Sequence, residues 1–241
     1  MDGDDLQVGY LLTRREALAL MGATGVMLFT GYASMSTAKA RHVGCVVRPQ
    51  QTEGPYFVNE LLNRSDIRSD PSDGAVSPGS PLQMAFNVSR MAPEGCTPLP
   101  GAYVDVWHCD HAGVYSDVED PGFNSIGKKF LRGYQVTDKD GIARFMTVYP
   151  GWYSGRAVHI HFKIRSAPSV SPGFEFTSQV YFDDALTDRV HALEPYAVKG
   201  PRDVRNPEDE IFRRGGSQLL LTLTPEGQGY TGAFDIALQA A

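Results

Sequence analysis

Seven short runs in which apolar and polar residues alternate dominate the chain from residue 82 onward, and they constrain the fold more than any other feature. An alternation with a period of two places successive side chains on opposite faces of a β-strand. Turn-forming pairs such as Pro100-Gly101 and Asp140-Gly141 separate the runs. The sequence therefore predicts an all-β fold, with strands at 82–89, 102–108, 143–148, 158–164, 177–182, 219–224 and 231–238.

Helix is expected to be scarce, because the 241 residues include 25 Gly and 16 Pro and both residue types interrupt regular helices. Only 186–193 has a pattern that predicts a helix, of one or two turns. Residues 45–81 are rich in Pro and Gly and are expected to lie as an irregular segment over the core. No segment repeats, so 41–241 is predicted to form one domain, an immunoglobulin-like Greek-key β-sandwich with long irregular loops.

Residues 1–40 are predicted to be an export signal that is removed from the mature chain. Arg14 and Arg15 precede an uncharged stretch, 17–38, and Ala38-Lys39-Ala40 is typical of a cleavage site. A transmembrane anchor is the alternative, because this stretch is long enough to span a bilayer. Its many Gly, Ser and Thr residues disfavour stable insertion. We therefore expect export to the periplasm or beyond by the twin-arginine route, with no stable membrane anchor.

Charge and cysteine content limit the partners and the compartment. The net charge of -6 and the absence of a long Lys/Arg run give no surface suited to nucleic acids, so no nucleic-acid partner is expected. In an oxidising compartment one disulfide is expected among Cys45, Cys96 and Cys109. Cys45 and Cys96 are the preferred pair because both lie in loop-like segments, whereas Cys109 ends a predicted strand. Three buried thiols are the alternative.

His159 and His161 form a candidate metal-binding pair. In the predicted strand 158–164 they fall on one face, with Val158, Ile160 and Phe162 on the other. His-x-His on a strand is a common way to present two nitrogens to one metal ion. Two hydrogen-bonded structural histidines would give the same pattern, so the pair alone does not decide between these interpretations.

Two tyrosine motifs strengthen the metal interpretation. Tyr115 ends the loop Ala-Gly-Val-Tyr after a Val-Asp-Val-Trp strand, and Tyr153 ends the turn Pro-Gly-Trp-Tyr. Arg156, His159 and His161 follow as Arg-x-x-His-x-His. In these motifs, and over nearly the whole of 41–241, the chain resembles the intradiol ring-cleavage dioxygenases, whose non-haem ferric site uses two tyrosines and two histidines.

The resemblance implies an Fe(III) ion bound by Tyr115, Tyr153, His159 and His161. Elementary chemistry agrees, because a phenolate is a hard anionic donor that suits Fe(III). A cation of that charge can hold tyrosine deprotonated well below its free pKa of ~10. The implied reaction is cleavage of a catechol-type ring by O2 between its two hydroxylated carbons, giving a cis,cis-muconate.

The same resemblance implies three catalytic residues. Tyr153 is expected to be displaced by the substrate and to accept its proton, and Arg156 to stabilise charge that develops on the ring. Gln179 is expected to flank the reacting ring. Tyr56 and Trp152 are the candidates for the substrate pocket.

Two departures from the family pattern leave the substrate and subunit number open. The chain lacks the helical N-terminal dimerisation domain of the catechol 1,2-dioxygenases, and the segment from Tyr153 to Arg156 is much shorter than in the protocatechuate enzymes. Catechol, protocatechuate, hydroxyquinol and lignin-derived catechols are all compatible substrates, and a homo-oligomer is compatible with the sequence.

Two other functions fit the residues when the resemblance is set aside. A secreted β-sandwich binding module would use the loop aromatics without metal or catalysis. A divalent-metal (Zn or Mn) hydrolase or cupin-like enzyme would use His159 and His161 with His111 or an acid. His108 and His111 form a further metal-like His-x-x-His pair, but neither matches a ligand position of the family.

Overall fold

The computed structural model describes residues 45–239, and strands dominate this part of the chain, which confirms the prediction of an all-β fold. Helical structure within it consists of α1 (Asp184–His191), α2 (Glu210–Arg213) and the single turns Tyr196–Lys199, Asn206–Glu208 and Gly216–Leu219. The strands are β1 (Pro81–Ala92), β2 (Gly95–Pro98), β3 (Tyr103–Trp107), β4 (Glu119–Asp120), β5 (Phe123–Asn124), β6 (Arg132–Val136), β7 (Ile142–Val148), β8 (His159–Arg165), β9 (Glu175–Tyr181), β10 (Thr224–Glu226) and β11 (Gly229–Leu238).

Two large sheets of different topology enclose the core, and β4 and β5 form a separate two-stranded sheet within residues 45–239. In the first sheet β11 runs parallel to β1 along one edge, and β10 pairs with the far side of β11. β7 pairs with 81–87 of β1 and β2 with 89–92, so these two antiparallel strands follow one another along the other edge of β1. The second sheet has the order β6-β3-β8-β9 and is antiparallel throughout.

The core lies between the two sheets and follows the alternation of the sequence. Leu82, Met84, Phe86 and Val88 occupy alternate positions of β1 and are at most 2% exposed. Across the core the ring of Phe86 packs on Phe162 of β8, with 5.1 Å between ring centroids. Burying each apolar side chain of this size contributes about 1.5–3 kcal/mol, which fixes the register that keeps the apolar face inward.

The outer face of β8 is polar yet buried. His159, His161 and Lys163 alternate with core residues on this strand and are 2%, 1% and 6% exposed. The irregular segment before β1 covers them: the backbone N–H of Gln51 donates to the carbonyl of Thr177 on β9 at 3.1 Å. Buried polar groups are costly unless they are partnered or functional, so this covered face is where a site is expected.

The strand predicted at 219–224 is wrong. Gly216–Leu219 is a helical turn, and Leu220 makes an isolated bridge to Tyr181 before β10 begins at Thr224. Leu219 and Leu221 are buried at alternate positions, which produces the periodic pattern. The alternation therefore reports an extended segment packed on the core rather than a ladder of paired strands. The other six predicted strands and the helix near 186–193 are found.

The disulfide prediction is confirmed: Cys45 and Cys96 are bonded, and Cys109 is a buried free thiol. The bond ties the start of the described chain to β2. The export signal at 1–40 lies outside the described residues, and the Greek-key, single-domain part of the prediction stays a prediction. Among residues 45–239 there is no helix with the length and apolar character needed to cross a membrane.

Candidate active site

Glycines bring the two tyrosine-bearing loops together. The N–H of Gly151 donates to the carbonyl of Asp110 at 3.1 Å, and a Cβ on Gly151 would strike that carbonyl. Gly113 has a φ of +85°, and a Cβ there would strike the backbone of the second loop. Glycine permits both the positive φ and the close approach. The rings of Tyr115 and Tyr153 consequently lie edge to face, with centroids 5.7 Å apart.

The histidine pair stands next to these tyrosines on β8. His159 Nδ1 lies 2.7 Å from the carbonyl oxygen of Ala157, so the ring donates its proton there and keeps the lone pair on Nε2. His159 Nε2 is 3.0 Å from His161 Nε2, and the His161 ring stacks on Trp107 with centroids 5.0 Å apart. Burial lowers the pKa of both imidazoles and the charge of Arg156 lowers it further. Both rings are therefore neutral, which is the form that binds metals.

Both tyrosine rings lie beside the histidine pair, with ring centroids 6.3 Å apart for Tyr115 and His161 and 5.6 Å apart for Tyr153 and His159. Tyr153 Oη lies 3.2 Å from His159 Nε2. Tyr115 Oη is buried and has no hydrogen-bond partner among the described residues, which for a buried donor costs about 1–3 kcal/mol. Burial raises the pKa of Tyr153 to about 12 and places that of Tyr115 well above its usual value. Neither phenol ionises at neutral pH unless a cation is bound beside it.

This donor set fits a hard metal cation. A lone pair on His159, a second neutral imidazole and two phenols converge, and one of the phenols is buried without a partner. Among residues 45–239 no group of three or more His, Cys, Asp or Glu side chains is placed to hold a metal, and the oxygen donor next to His159 Nε2 is the Tyr153 hydroxyl. Phenolate oxygens suit Fe(III), and the arrangement gives no support to a divalent-metal site completed by His111 or an acid.

Arg156 lies beside Tyr153 and is held by polar contacts on three sides. Its Nε donates to Asp209 Oδ2 at 2.9 Å, Nη2 donates to Gln179 Oε1 at 2.5 Å, and Nη1 is 3.5 Å from Tyr153 Oη. Gln179 Nε2 donates to the carbonyl of Thr52 at 3.2 Å, which fixes the orientation of its amide. Burial works to lower the pKa of Arg156, but the negative charge that Tyr153, Tyr181 and Asp209 carry when ionised outweighs it and raises that pKa. The guanidinium therefore stays charged.

The two candidates for the substrate pocket have different surroundings. The Tyr56 ring stacks on Tyr115 with centroids 4.5 Å apart, and its hydroxyl donates to Asp120 at 2.8 Å. Trp152 precedes Tyr153, and the Lys199 ammonium lies 4.5 Å from the centre of its ring. Tyr56 therefore covers a candidate ligand, whereas Trp152 faces the 196–199 turn. Their contact with a substrate stays a prediction.

His108 is a structural histidine. Its Nδ1 lies 2.8 Å from the carbonyl oxygen of Cys109 and its Nε2 lies 2.7 Å from Thr147 Oγ1, so both ring nitrogens are engaged. Because both ring nitrogens of His108 are hydrogen-bonded, the metal-like spacing of His108 and His111 does not support a metal site as an alternative to His159 and His161.

We expect His108 to make the fold sensitive to acid. Burial lowers its pKa from 6.5 to about 4. A depressed pKa gives stability that is present above the unfolded value and is lost as the pH falls towards the folded value, here up to about 3 kcal/mol. His108→Gln keeps hydrogen-bonding groups but cannot be protonated. In urea titrations of metal-free protein, its free energy of unfolding should fall less than that of the wild type between about pH 7 and about pH 4.5. Equal losses in both proteins would contradict this assignment.

Two residues that contact Arg156 or Gln179 were not predicted from the sequence, namely Tyr181 and Asp209. Tyr181 Oη lies 2.9 Å from both Gln51 Oε1 and Gln179 Oε1, and it faces the site because it follows Gln179 by two positions on β9. That alternation was enough to find Tyr181. Asp209 lies 53 residues after its partner Arg156, and nothing in the sequence links the two.

Comparison with known proteins places the chain in a family. Residues 52–199 match the family described as Dioxygenase. The protocatechuate 3,4-dioxygenase beta chain of Burkholderia cepacia is 30% identical over 194 residues, which cover 77% of this chain and 76% of that one. The chain therefore belongs to the intradiol ring-cleaving dioxygenases, and it is an enzyme rather than a binding module.

Solved structures agree with this assignment. An intradiol ring-cleavage dioxygenase from Tetranychus urticae is 30% identical and superposes with a TM-score of 0.69, covering 80% of this chain and 94% of that one. The dioxygenase domain of a carbohydrate-binding fusion protein from Streptomyces sp. SirexAA-E is also 30% identical, with a TM-score of 0.57 and coverage of 81% and 99%.

Proposed function

We propose that this enzyme cleaves a catechol-type ring between its two hydroxylated carbons and releases a cis,cis-muconate. One ring carbon-carbon bond breaks and both atoms of O2 enter the product as parts of two carboxyl groups, so no other oxidant or reductant is needed. The proposed cofactor is one Fe(III) ion held by Tyr115, Tyr153, His159 and His161.

One observation supports this proposal: the four side chains proposed as ligands are grouped in one buried place, and their donor atoms are of the kind that suits Fe(III). His159 Nε2 lies 3.0 Å from His161 Nε2 and 3.2 Å from Tyr153 Oη, and the buried Tyr115 hydroxyl beside them lacks a partner. A bound cation satisfies all four groups together and supplies the positive charge that both phenols need in order to ionise.

Tyr153, Arg156 and Gln179 have separate roles in the proposed reaction. An Fe(III) ion held by these four side chains would supply Lewis-acid chemistry that makes a catechol-type ring reactive towards O2. Tyr153 is suited to take a substrate proton on its phenolate oxygen, because this oxygen already borders both His159 and Arg156. Arg156 offers a fixed cation to negative charge that develops on the ring, and Gln179 holds that cation in place.

The direct test is to purify the protein, determine its metal content, record its visible spectrum and then supply catechol and protocatechuate in air. We expect one iron per chain, a phenolate-to-Fe(III) charge-transfer band, O2 uptake equal to substrate consumed, and a ring-opened dicarboxylate. Zinc in place of iron, with no visible band and no O2 uptake, would overturn the proposal.

We also propose that residues 1–40 direct export by the twin-arginine route. Arg14 and Arg15 directly before an uncharged stretch support this, as does the small-residue sequence ending at Ala40. A disulfide between Cys45 and Cys96 suits an oxidising compartment.

Replacing Arg14 and Arg15 by Lys should hold the precursor inside the cell, because the twin-arginine machinery reads this pair and not merely its charge. Cell fractionation followed by detection of precursor and mature chain measures the outcome. Arg41→Lys, a charge-preserving change outside the pair, should be exported normally. Normal export of the double Lys variant would point to another route.

A further inference from the structure

Asp209 is a buried carboxylate with all its contacts provided by the chain. It is 1% exposed, and four N–H donors surround it. Oδ2 accepts from Arg156 Nε at 2.9 Å and from the backbone N–H of Ala157 at 2.8 Å. Oδ1 accepts from the backbone N–H groups of Ile211 and Phe212 at 2.7 and 3.0 Å. The carboxylate thus joins the start of α2 to the segment that leads into β8.

Both groups bound by Oδ2 continue into the site. Ala157 donates its backbone N–H to Asp209, and its carbonyl, in the next peptide group, accepts from His159 Nδ1 at 2.7 Å. The Arg156 guanidinium, held by its Nε, turns its two terminal nitrogens towards Tyr153 and Gln179. One carboxylate therefore fixes both the backbone that orients a candidate ligand and the cation beside the proposed proton acceptor.

Arg156 and Asp209 form a buried ion pair. The Arg156 side chain is 15% exposed and that of Asp209 is fully buried, so each neutralises the other where water does not screen them. Breaking such a pair from one side leaves an uncompensated charge in a low-dielectric site. A helix N-cap needs only an acceptor for the first backbone N–H groups, so capping α2 explains Oδ1 but not the contacts of Oδ2.

From these contacts we infer that Asp209 is a positioning residue of the reaction. It holds Arg156 against Tyr153 and Gln179 and, through the backbone of Ala157, orients His159. The inference rests on the proposed function, but the hydrogen bonds of the Asp209 carboxylate within residues 45–239 go to Arg156 and to backbone N–H groups, not to a candidate ligand side chain.

Asp209→Asn tests this inference. The amide has one acceptor oxygen, so whichever way it turns, two of the four donors lose their acceptor, and the charge facing Arg156 is gone. We expect kcat per bound iron to fall about 10- to 100-fold, as for other groups that orient ligands, while KM for catechol changes less. The charge-transfer band should shift, because Arg156 beside Tyr153 loses the negative charge that neutralises and holds it in either orientation of the amide. A crystal structure of the variant should show the contact between Arg156 and Gln179 broken.

Asp105→Asn is the matched control. Asp105 is also buried and its carboxylate pairs with Arg165 at 2.8 and 3.0 Å, at the opposite end of β8 from His159. The Asp105→Asn variant should have a lower Tm, with kcat per iron and the charge-transfer band unchanged. If the Asn variant of Asp209 does not fold, Asp209→Glu keeps the charge but displaces it, and its kcat per iron should still fall.

A double variant shows whether Asp209 acts through Arg156. In a chain that already carries Arg156→Ala, Asp209→Asn should lower kcat per iron at most about threefold further. This is far less than the roughly 10- to 100-fold loss expected from Asp209→Asn in the wild-type chain. Unchanged kcat per iron, band and Arg156 position in Asp209→Asn would reduce Asp209 to a helix cap. If wild-type protein binds no iron and cleaves no ring, the proposed function is refuted instead. In that case the position of Arg156 in the crystal structure of Asp209→Asn still shows whether Asp209 holds it in place.

Discussion

His161→Ala should lose its iron and its visible colour, and with them all ring-cleaving activity. The side chain is 1% exposed, its Nε2 faces His159 Nε2 at 3.0 Å, and no other described imidazole is grouped with the pair. Removing a hydrogen bond that merely supports a ligand typically costs 10- to 100-fold in metal affinity, so losing the ligand itself should cost more than about 100-fold. Metal analysis after dialysis against a mild chelator, together with the visible spectrum, measures the loss.

Packing around His161 calls for two controls. The ring stacks on Trp107, so His161→Ala also leaves a cavity. His161→Gln fills most of that space without an imidazole and should be as colourless as the Ala variant. His108→Gln changes a neighbouring buried histidine whose nitrogens are both hydrogen-bonded, and it should keep its iron. Full iron occupancy in both His161 variants would show that the proposed ligand set is wrong.

The sequence predicted the parts of this site that depend on local rules. On β8 the alternation alone placed His159 and His161 on one face and the core residues on the other, since apolar burial fixes the register of a strand. Gly113 and Gly151, which precede the two tyrosines, can also be recognised in the sequence. Each is needed where one backbone segment approaches another so closely that no side chain fits.

The parts it did not predict depend on distant contacts. The partner of Arg156 is Asp209, the residue directly before the short helix α2, and no periodic pattern encodes that pairing. Alternating leucines after Gly216 predicted a strand, but burial at alternate positions arises in any extended segment that lies on a core. The edge strand β6 contains Gly133 and was missed, because its pattern of half-buried residues is irregular.

Arg156→Ala should lower kcat by about 100-fold or more while catechol still forms a coloured complex with the bound iron. The guanidinium is held in advance by Asp209 and Gln179, with Nη1 3.5 Å from Tyr153 Oη, so it needs no rearrangement to meet charge that develops on the ring. A cation placed in this way stabilises the reacting state more than the bound substrate. The loss should therefore appear mainly in the reaction with O2.

Stopped-flow mixing separates the two steps: each protein is first mixed with catechol under anaerobic conditions, and the complex is then mixed with O2. Arg165→Ala is the matched control, because the Arg165 side chain is 14% exposed against 15% for Arg156 and it too pairs with a buried aspartate. The control should lose stability but keep both rates. An Arg156→Ala variant that binds catechol more weakly yet reacts with O2 at the wild-type rate would make Arg156 a substrate anchor, because a group that acts on the reacting state must change the second rate.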